Sequence, residues 1–149
     1  MSMFTGMNIS SEALSAQRLR MDVISSNIAN ADTTRDTYVN GKWQPYRRKE
    51  VVLAAGGGSF ASIFRSKLGM QGAGSGVQVA GIVEDNSDFK KEYNPDDPDA
   101  DANGYVTKPN VDLLTEMTGM ISATRSYEAN VTALNASKAM LMKTLELGQ

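Results

Sequence analysis

The chain has 149 residues, with 15 Lys plus Arg against 17 Asp plus Glu, which suits one domain and gives no reason to expect a nucleic-acid partner. It has no Cys and no His, so thiol nucleophiles, His-dependent triads, most zinc sites and all disulfide frameworks are excluded. Aromatic residues at 7 % and 13 glycines leave little bulk for a thick core.

The opening MSMFTGMNISSEALSAQRLR lacks a basic start, an apolar run and a cleavage site, so a secretory signal is not expected. No stretch approaches the ~20 apolar residues needed to span a bilayer, so an integral membrane protein is not expected either. Residues 3–31 are predicted to form one amphipathic helix. Met7, Leu14, Met21 and Ile28 recur every seven residues, and Met3, Ile24 and Ala31 share the stripe. Glu12, Gln17, Arg20 and Asp22 lie opposite. Ser10, Ser11, Gln17 and Arg18 interrupt the stripe, so this helix should be marginal alone.

From residue 35 the pattern changes to period two and to turn residues. Glu50–Ala54, Val77–Glu84 and Phe89–Tyr93 are predicted as strands. The glycine-rich stretch 55–76 reads as a flexible excursion, with a short apolar patch, Phe60–Leu68, that has room for one or two helical turns. Asn94–Gly104, with two prolines and four aspartates, is predicted to be an exposed loop.

The C-terminal 38 residues carry the stronger helical pattern, and at 1.5 Å per residue they would extend about 55 Å. Leu113, Met120, Tyr127, Leu134 and Leu141 repeat every seven residues, and Met117, Val131 and Leu145 supply the alternating positions. Thr124 and Lys138 break the seam. Asn110 or Asp112 is placed to cap the start, and Gly148 suits the stop. So much apolar face calls for another helix beside it, and packing between molecules is the favoured use.

No motif builds a catalytic or metal centre. Asp99, Asp101, Asn103 and Gly104 match the first half of an EF-hand loop, but the position of the bidentate Glu holds Asn110, and Pro95 and Pro98 forbid the entering helix. An acidic turn is the expected reading. The alternative from a different class, a carboxylate-dependent peptidoglycan hydrolase, needs one acid in an apolar pocket, which this loop does not build. Gly72, Gly74 and Gly76 precede a strand where a phosphate-cradling turn would precede a helix. The basic run Arg35, Lys42, Arg47, Arg48 and Lys49 and the acidic run Glu84–Asp101 read as solvated faces. No catalytic residue, metal ligand or cofactor is expected.

Three stretches resemble the flagellar rod and hook axial protein family. The first is Leu19–Thr34, in which Asn27-Ile28-Ala29-Asn30 is the family's N-terminal hallmark. The others are Pro45–Val52 and the region from Asp97–Val106 through Pro109–Asp112 to Arg125–Val131. The second and third look like one short proximal-rod subunit in particular, with another, such as FlgB, as the alternative member.

The resemblance implies an α+β chain whose long terminal helices form an antiparallel, coiled-coil-like pair around a small β-rich centre. It divides into an axial helix and motif (1–34), a central region (35–109) and a second axial helix (110–149), acting as one functional unit. The implied function is structural: a subunit of the rod that crosses the periplasm and transmits torque, exported through the flagellar type III apparatus without a cleaved signal. The implied partners are itself, other rod proteins (FlgB, FlgF, FlgG) and the export apparatus. The expected assembly surface comprises Met7, Leu14, Met21, Asn27, Ile28, Ala29 and Asn30 on the first helix. On the second it comprises Leu113, Met117, Met120, Tyr127, Val131, Leu134, Leu141 and Leu145. In the shared motif, Asn27 and Asn30 are expected to bond exposed backbone, and Ala29 and Ala31 to allow close helix approach.

Overall fold

A computed structural model describes residues 3–39, 41–56 and 76–146. The expected excursion at 55–76, with its patch Phe60–Leu68, lies outside the described residues save for its edges, and so does the expected stop at Gly148. The element order is α1 (Met3–Ala29), β1 (Thr37–Val39), β2 (Lys42–Gln44), β3 (Lys49–Ala55), β4 (Val77–Glu84), β5 (Lys90–Tyr93), β6 (Tyr105–Lys108) and α2 (Leu113–Glu146). The α+β architecture, two terminal helices with small strand pairs between them, is the expected one.

Both helix boundaries that are described have a chemical cause. At the end of α1, Asn30 donates from Nδ2 to the Ser26 carbonyl at 2.9 Å and accepts from the Thr33 hydroxyl at 3.2 Å, closing off the last turn. At the start of α2, Asp112 is the cap. Its Oδ1 accepts from the Leu114 amide at 2.9 Å, and its carbonyl accepts from the Glu116 amide at 2.9 Å.

Among the described residues the centre holds three two-stranded sheets, β1–β2, β3–β4 and β5–β6. In the β1–β2 hairpin Val39 pairs with Lys42, and Gly41 before Lys42 has a φ of 80°. The tip carries Tyr38 and Trp43 edge to face, 5.1 Å between centroids. In β5–β6, Tyr93 pairs with Tyr105 across the neck of the acidic loop, whose amides and carbonyls close on each other from Asn94 to Gly104 at 3.0 Å. Neither β1–β2 nor β6 is among the strands expected from the sequence.

The chain divides into two compact units. The first comprises residues 1–20, 51–81 and 122–149; the second comprises 21–50 and 82–121. In the first, Ala16, Gly56, Gly76 and Ala123 are buried. The second has the thicker interior, formed by Val23, Ile24, Asn27, Tyr46, Val106, Pro109, Val111 and Glu116. There α1 and α2 pack antiparallel. Asn27 meets Glu116, and three residues back along α1 Ile24 meets Gly119, three residues on along α2.

Candidate functional site

The residues expected to form an assembly surface fall into three groups. Leu113, Met117 and Leu145 are exposed, as is Ala29. Met7, Leu14, Met21, Ile28, Asn30, Met120, Tyr127, Val131, Leu134 and Leu141 are half-buried. Asn27 is buried at 1 % exposure. In the second unit α2 presents an exposed apolar stripe of Leu113, Leu114, Met117 and Ile121, at three- and four-residue spacing on one face. Among the described residues the buried helical positions are Ala16, Val23, Ile24 and Asn27 on α1, and Glu116 and Ala123 on α2, and of these Asn27 alone is in the expected surface. Alanine, β-branched and polar residues thus face inward while several Leu and Met side chains face out.

Asn27 uses its whole amide inside the second unit. Nδ2 donates to the Lys49 carbonyl at 2.8 Å and to Glu116 Oε2 at 3.0 Å. Oδ1 accepts from the Lys49 amide and from the Tyr46 hydroxyl, each at 3.0 Å. Toward Lys49, the first residue of β3, the side chain acts as a peptide group would, pairing with both backbone partners of one residue. The sequence leads one to expect Asn27 to bond exposed backbone at the end of α1, whereas here it is buried and bonds the backbone of Lys49 in β3.

Glu116 completes the network. Its Oε1 accepts from Arg48 Nε at 2.7 Å, and at 2 % exposure it would be costly without that partner. It also sits in the first turn of α2, where the helix dipole favours a negative charge. Arg48 reaches on to Asp85 Oδ2 at 3.3 Å, and its amide donates to Asn110 Oδ1 at 2.8 Å. Asn110 then donates to the Asp85 carbonyl at 3.0 Å. The bond to Glu116 is the main cause holding the Arg48 guanidinium above its ordinary pKa.

The acidic loop is organised by its own backbone. Asp97 Oδ1 accepts from the Asp99 amide, and Asp101 Oδ1 accepts from the amides of Asn103 and Tyr105. Asp99 is engaged by Arg35 and by the Thr34 hydroxyl, the latter at 2.7 Å. The Arg35 bond, then that of Thr34, lowers the Asp99 pKa; the amides of Tyr105 and Asn103 lower that of Asp101. The loop thereby ties the segment after α1 to the β5–β6 hairpin.

Among the described residues no group of three acidic side chains converges as a metal site. An open groove of about 510 Å³ in the first unit is lined, among the described residues, by Ser11, Glu12, Ser15, Ala16, Leu19, Val77, Gln78 and Val79, which supply one carboxylate and no second acid or base. Among the described residues no helix is long and apolar enough to cross a membrane.

Two family descriptions match the chain. "Flagella basal body rod protein" covers residues 7–35, and "Flagellar basal body rod FlgEFG protein C-terminal" covers residues 102–147. The chain is similar to the flagellar basal-body rod protein FlgC of Bacillus subtilis, at 60 % identity over 150 residues and 100 % of both chains. It is 44 % identical to FlgC of Borreliella burgdorferi over 155 residues, 100 % of this chain and 99 % of the relative. With FlgC of Salmonella typhimurium it shares 44 % over 142 residues, 95 % of each.

Proposed function

Because the chain belongs to the FlgC family of flagellar basal-body rod proteins, we propose that it joins the proximal rod through the exposed faces of its two helices. It is a structural subunit of the flagellar basal-body rod and not an enzyme. Its neighbours are copies of itself and rod proteins of the FlgB, FlgF and FlgG kinds, and it reaches them through the flagellar type III export apparatus without a cleaved signal. The three segments 1–34, 35–109 and 110–149 work there as one functional unit that transmits torque across the periplasm. In this reading Asn27 and Asn30 shape the surface from within, while Leu113, Met117 and Leu145 meet a neighbour.

The observation that carries the assembly reading is the row Leu113, Leu114, Met117 and Ile121, four large apolar side chains left to solvent on one helix face. A rod subunit gains from covering such a face on contact, since apolar area removed from water stabilises by about 25 cal/mol per Å². Met117→Asp tests this, because a charge at an exposed position leaves the fold intact and costs only the contact. The purified variant is expected to keep its urea midpoint while cells carrying it stop swimming and yield no complete rods. Normal swimming would remove this stripe from the interface.

A further inference from the structure

In the second unit two kinds of contact hold α1 against α2, and they specify position unequally. Gly119 brings α2 close to Ile24, since a Cβ placed on it would lie 3.4 Å from Ile24 Cδ1. Flanking positions are Met21 and Met120, long unbranched side chains that refill gaps of varied shape. Val23, Ile24 and these methionines carry no group that must be hydrogen-bonded, so a neighbouring register costs them repacking only. The polar pair differs. Asn27 and Glu116 are both buried, and each is bound at its far side to a fixed part of the β region, Asn27 to the Lys49 backbone and Glu116 to Arg48 Nε.

A slide of one turn in one direction would set Asn27 against Leu113 and Glu116 against Ile24, neither of which offers a hydrogen-bonding side chain. In the other direction Asn27 would meet Gly119 or Met120, and Glu116 would meet Ala31 or Asn30. Asn30 already spends its amide on Ser26 and Thr33. Both slides take Glu116 from Asn27 Nδ2 and Arg48 Nε and so bury a carboxylate without its partners, while Asn27 loses its one bond to α2.

We infer that the Asn27–Glu116 contact is the register determinant of this helix pair, two positioning residues that fix the stagger of the faces the subunit offers to its neighbours. Buried polar groups are best attested in this kind of role, selecting one packing arrangement among several of similar apolar quality. The consequence for rods rests on the assembly reading above, whereas the register itself is a property of the single chain.

The chain has no Cys, so two engineered pairs in the isolated full-length protein report register without interference. Ile24→Cys with Gly119→Cys reads the register described, and Met21→Cys with Gly119→Cys reads a slide of one turn. With Glu116 present, the first pair should oxidise at least ~10-fold faster than the second, as a preference of about one decade in the equilibrium requires. Glu116→Met keeps an unbranched, helix-favouring side chain, and with it the ratio should collapse toward unity at unchanged helical circular dichroism. An unchanged ratio in that folded variant overturns the inference.

If Glu116→Met loses its helical signal, Glu116→Gln decides. Gln keeps an acceptor for Asn27 but turns an amide toward Arg48 Nε, so the ratio should fall about threefold. A ratio as in the parent overturns the inference. Because these readings are taken on the monomer, they stand or fall independently of whether the stripe at Met117 contacts a rod neighbour.

Discussion

Arg48 Nε donates to Glu116 Oε1 at 2.7 Å, and the same residue's carbonyl accepts from the Asp85 amide at 2.8 Å. One residue at the start of β3 therefore fixes the first turn of α2 and the exit of β4 together. Its second nitrogen, Nη1, lies 3.3 Å from Asp85 Oδ2, so the two acids are met by two edges of one planar group.

Arg48→Lys is for that reason not a conservative change. A lysine ammonium is a point charge that cannot present Nε and Nη1 in fixed directions, so Glu116 or Asp85 is left short. Glu116 is the more buried of the two and sets the cost, on the order of 2 kcal/mol in urea titration. A midpoint equal to that of the parent would show that charge alone suffices.

The two asparagines of the shared motif are expected to differ in weight. Asn27→Ala strands the Lys49 amide and carbonyl, the Tyr46 hydroxyl and one Glu116 oxygen, and should cost on the order of 3 kcal/mol. Asn30→Ala removes bonds within the last turn of α1 and its exit, where water substitutes, and should cost about 1 kcal/mol. Urea titrations of the two variants under one condition check the order, which reverses if the motif acts mainly as a helix cap.

This contrast also shows what could be read from the sequence. Helices were legible because their apolar period runs over many residues, and Asp112 because a capping acid after Pro109 has a mechanism. The β1–β2 hairpin was missed although Asn40-Gly41 is a strong two-residue turn signal, since its strands are short and flanked by polar residues. Strand β6 was missed because Tyr105-Val106-Thr107-Lys108 follows a loop dominated by aspartate. The face of each helix was harder. A heptad count weights Leu and Met, and so selected Leu14 and Met117, whereas close packing favours Ala16, Gly119 and Ala123. Glu116 was invisible because nothing in a sequence says that an acid near a helix start will be buried and met by an arginine that precedes a distant strand. The inner face of α1, Ala16, Val23 and Asn27, keeps helical spacing but mixes a small, a β-branched and a polar residue, so no hydrophobic count selects it.

Glycines at two hairpin turns should respond differently to alanine. Both Gly41 and Gly104 have positive φ, 80° and 78°, so each alanine pays about 1 kcal/mol for the left-handed backbone. At Gly104 the new Cβ would also lie 3.0 Å from Tyr93 Cε2 and 3.3 Å from Pro95 Cβ, while at Gly41 nothing stands within 4 Å. Gly104→Ala is expected to lower the thermal midpoint clearly more than Gly41→Ala. Equal shifts would mean that Tyr93 and Pro95 yield without cost.

Acid should act on the second unit through its aspartates. Arg35 and then Thr34 hold the Asp99 pKa below its ordinary 3.8, and Ser87, chiefly through its backbone amide, lowers that of Asp85. A carboxyl whose pKa is depressed on folding contributes stability above its unfolded pKa and loses it as pH falls through the folded one. With no His in the chain, the urea midpoint is expected to stay level between about pH 5 and pH 8 and to drop below about pH 4. Asp99→Asn keeps an acceptor for Thr34 but cannot titrate, so the variant starts less stable at neutral pH and loses less between about pH 4 and pH 2. If its acid loss equals that of the parent, the Arg35–Asp99 pair is open in solution and contributes nothing to the tie between the α1 exit and the β5–β6 loop.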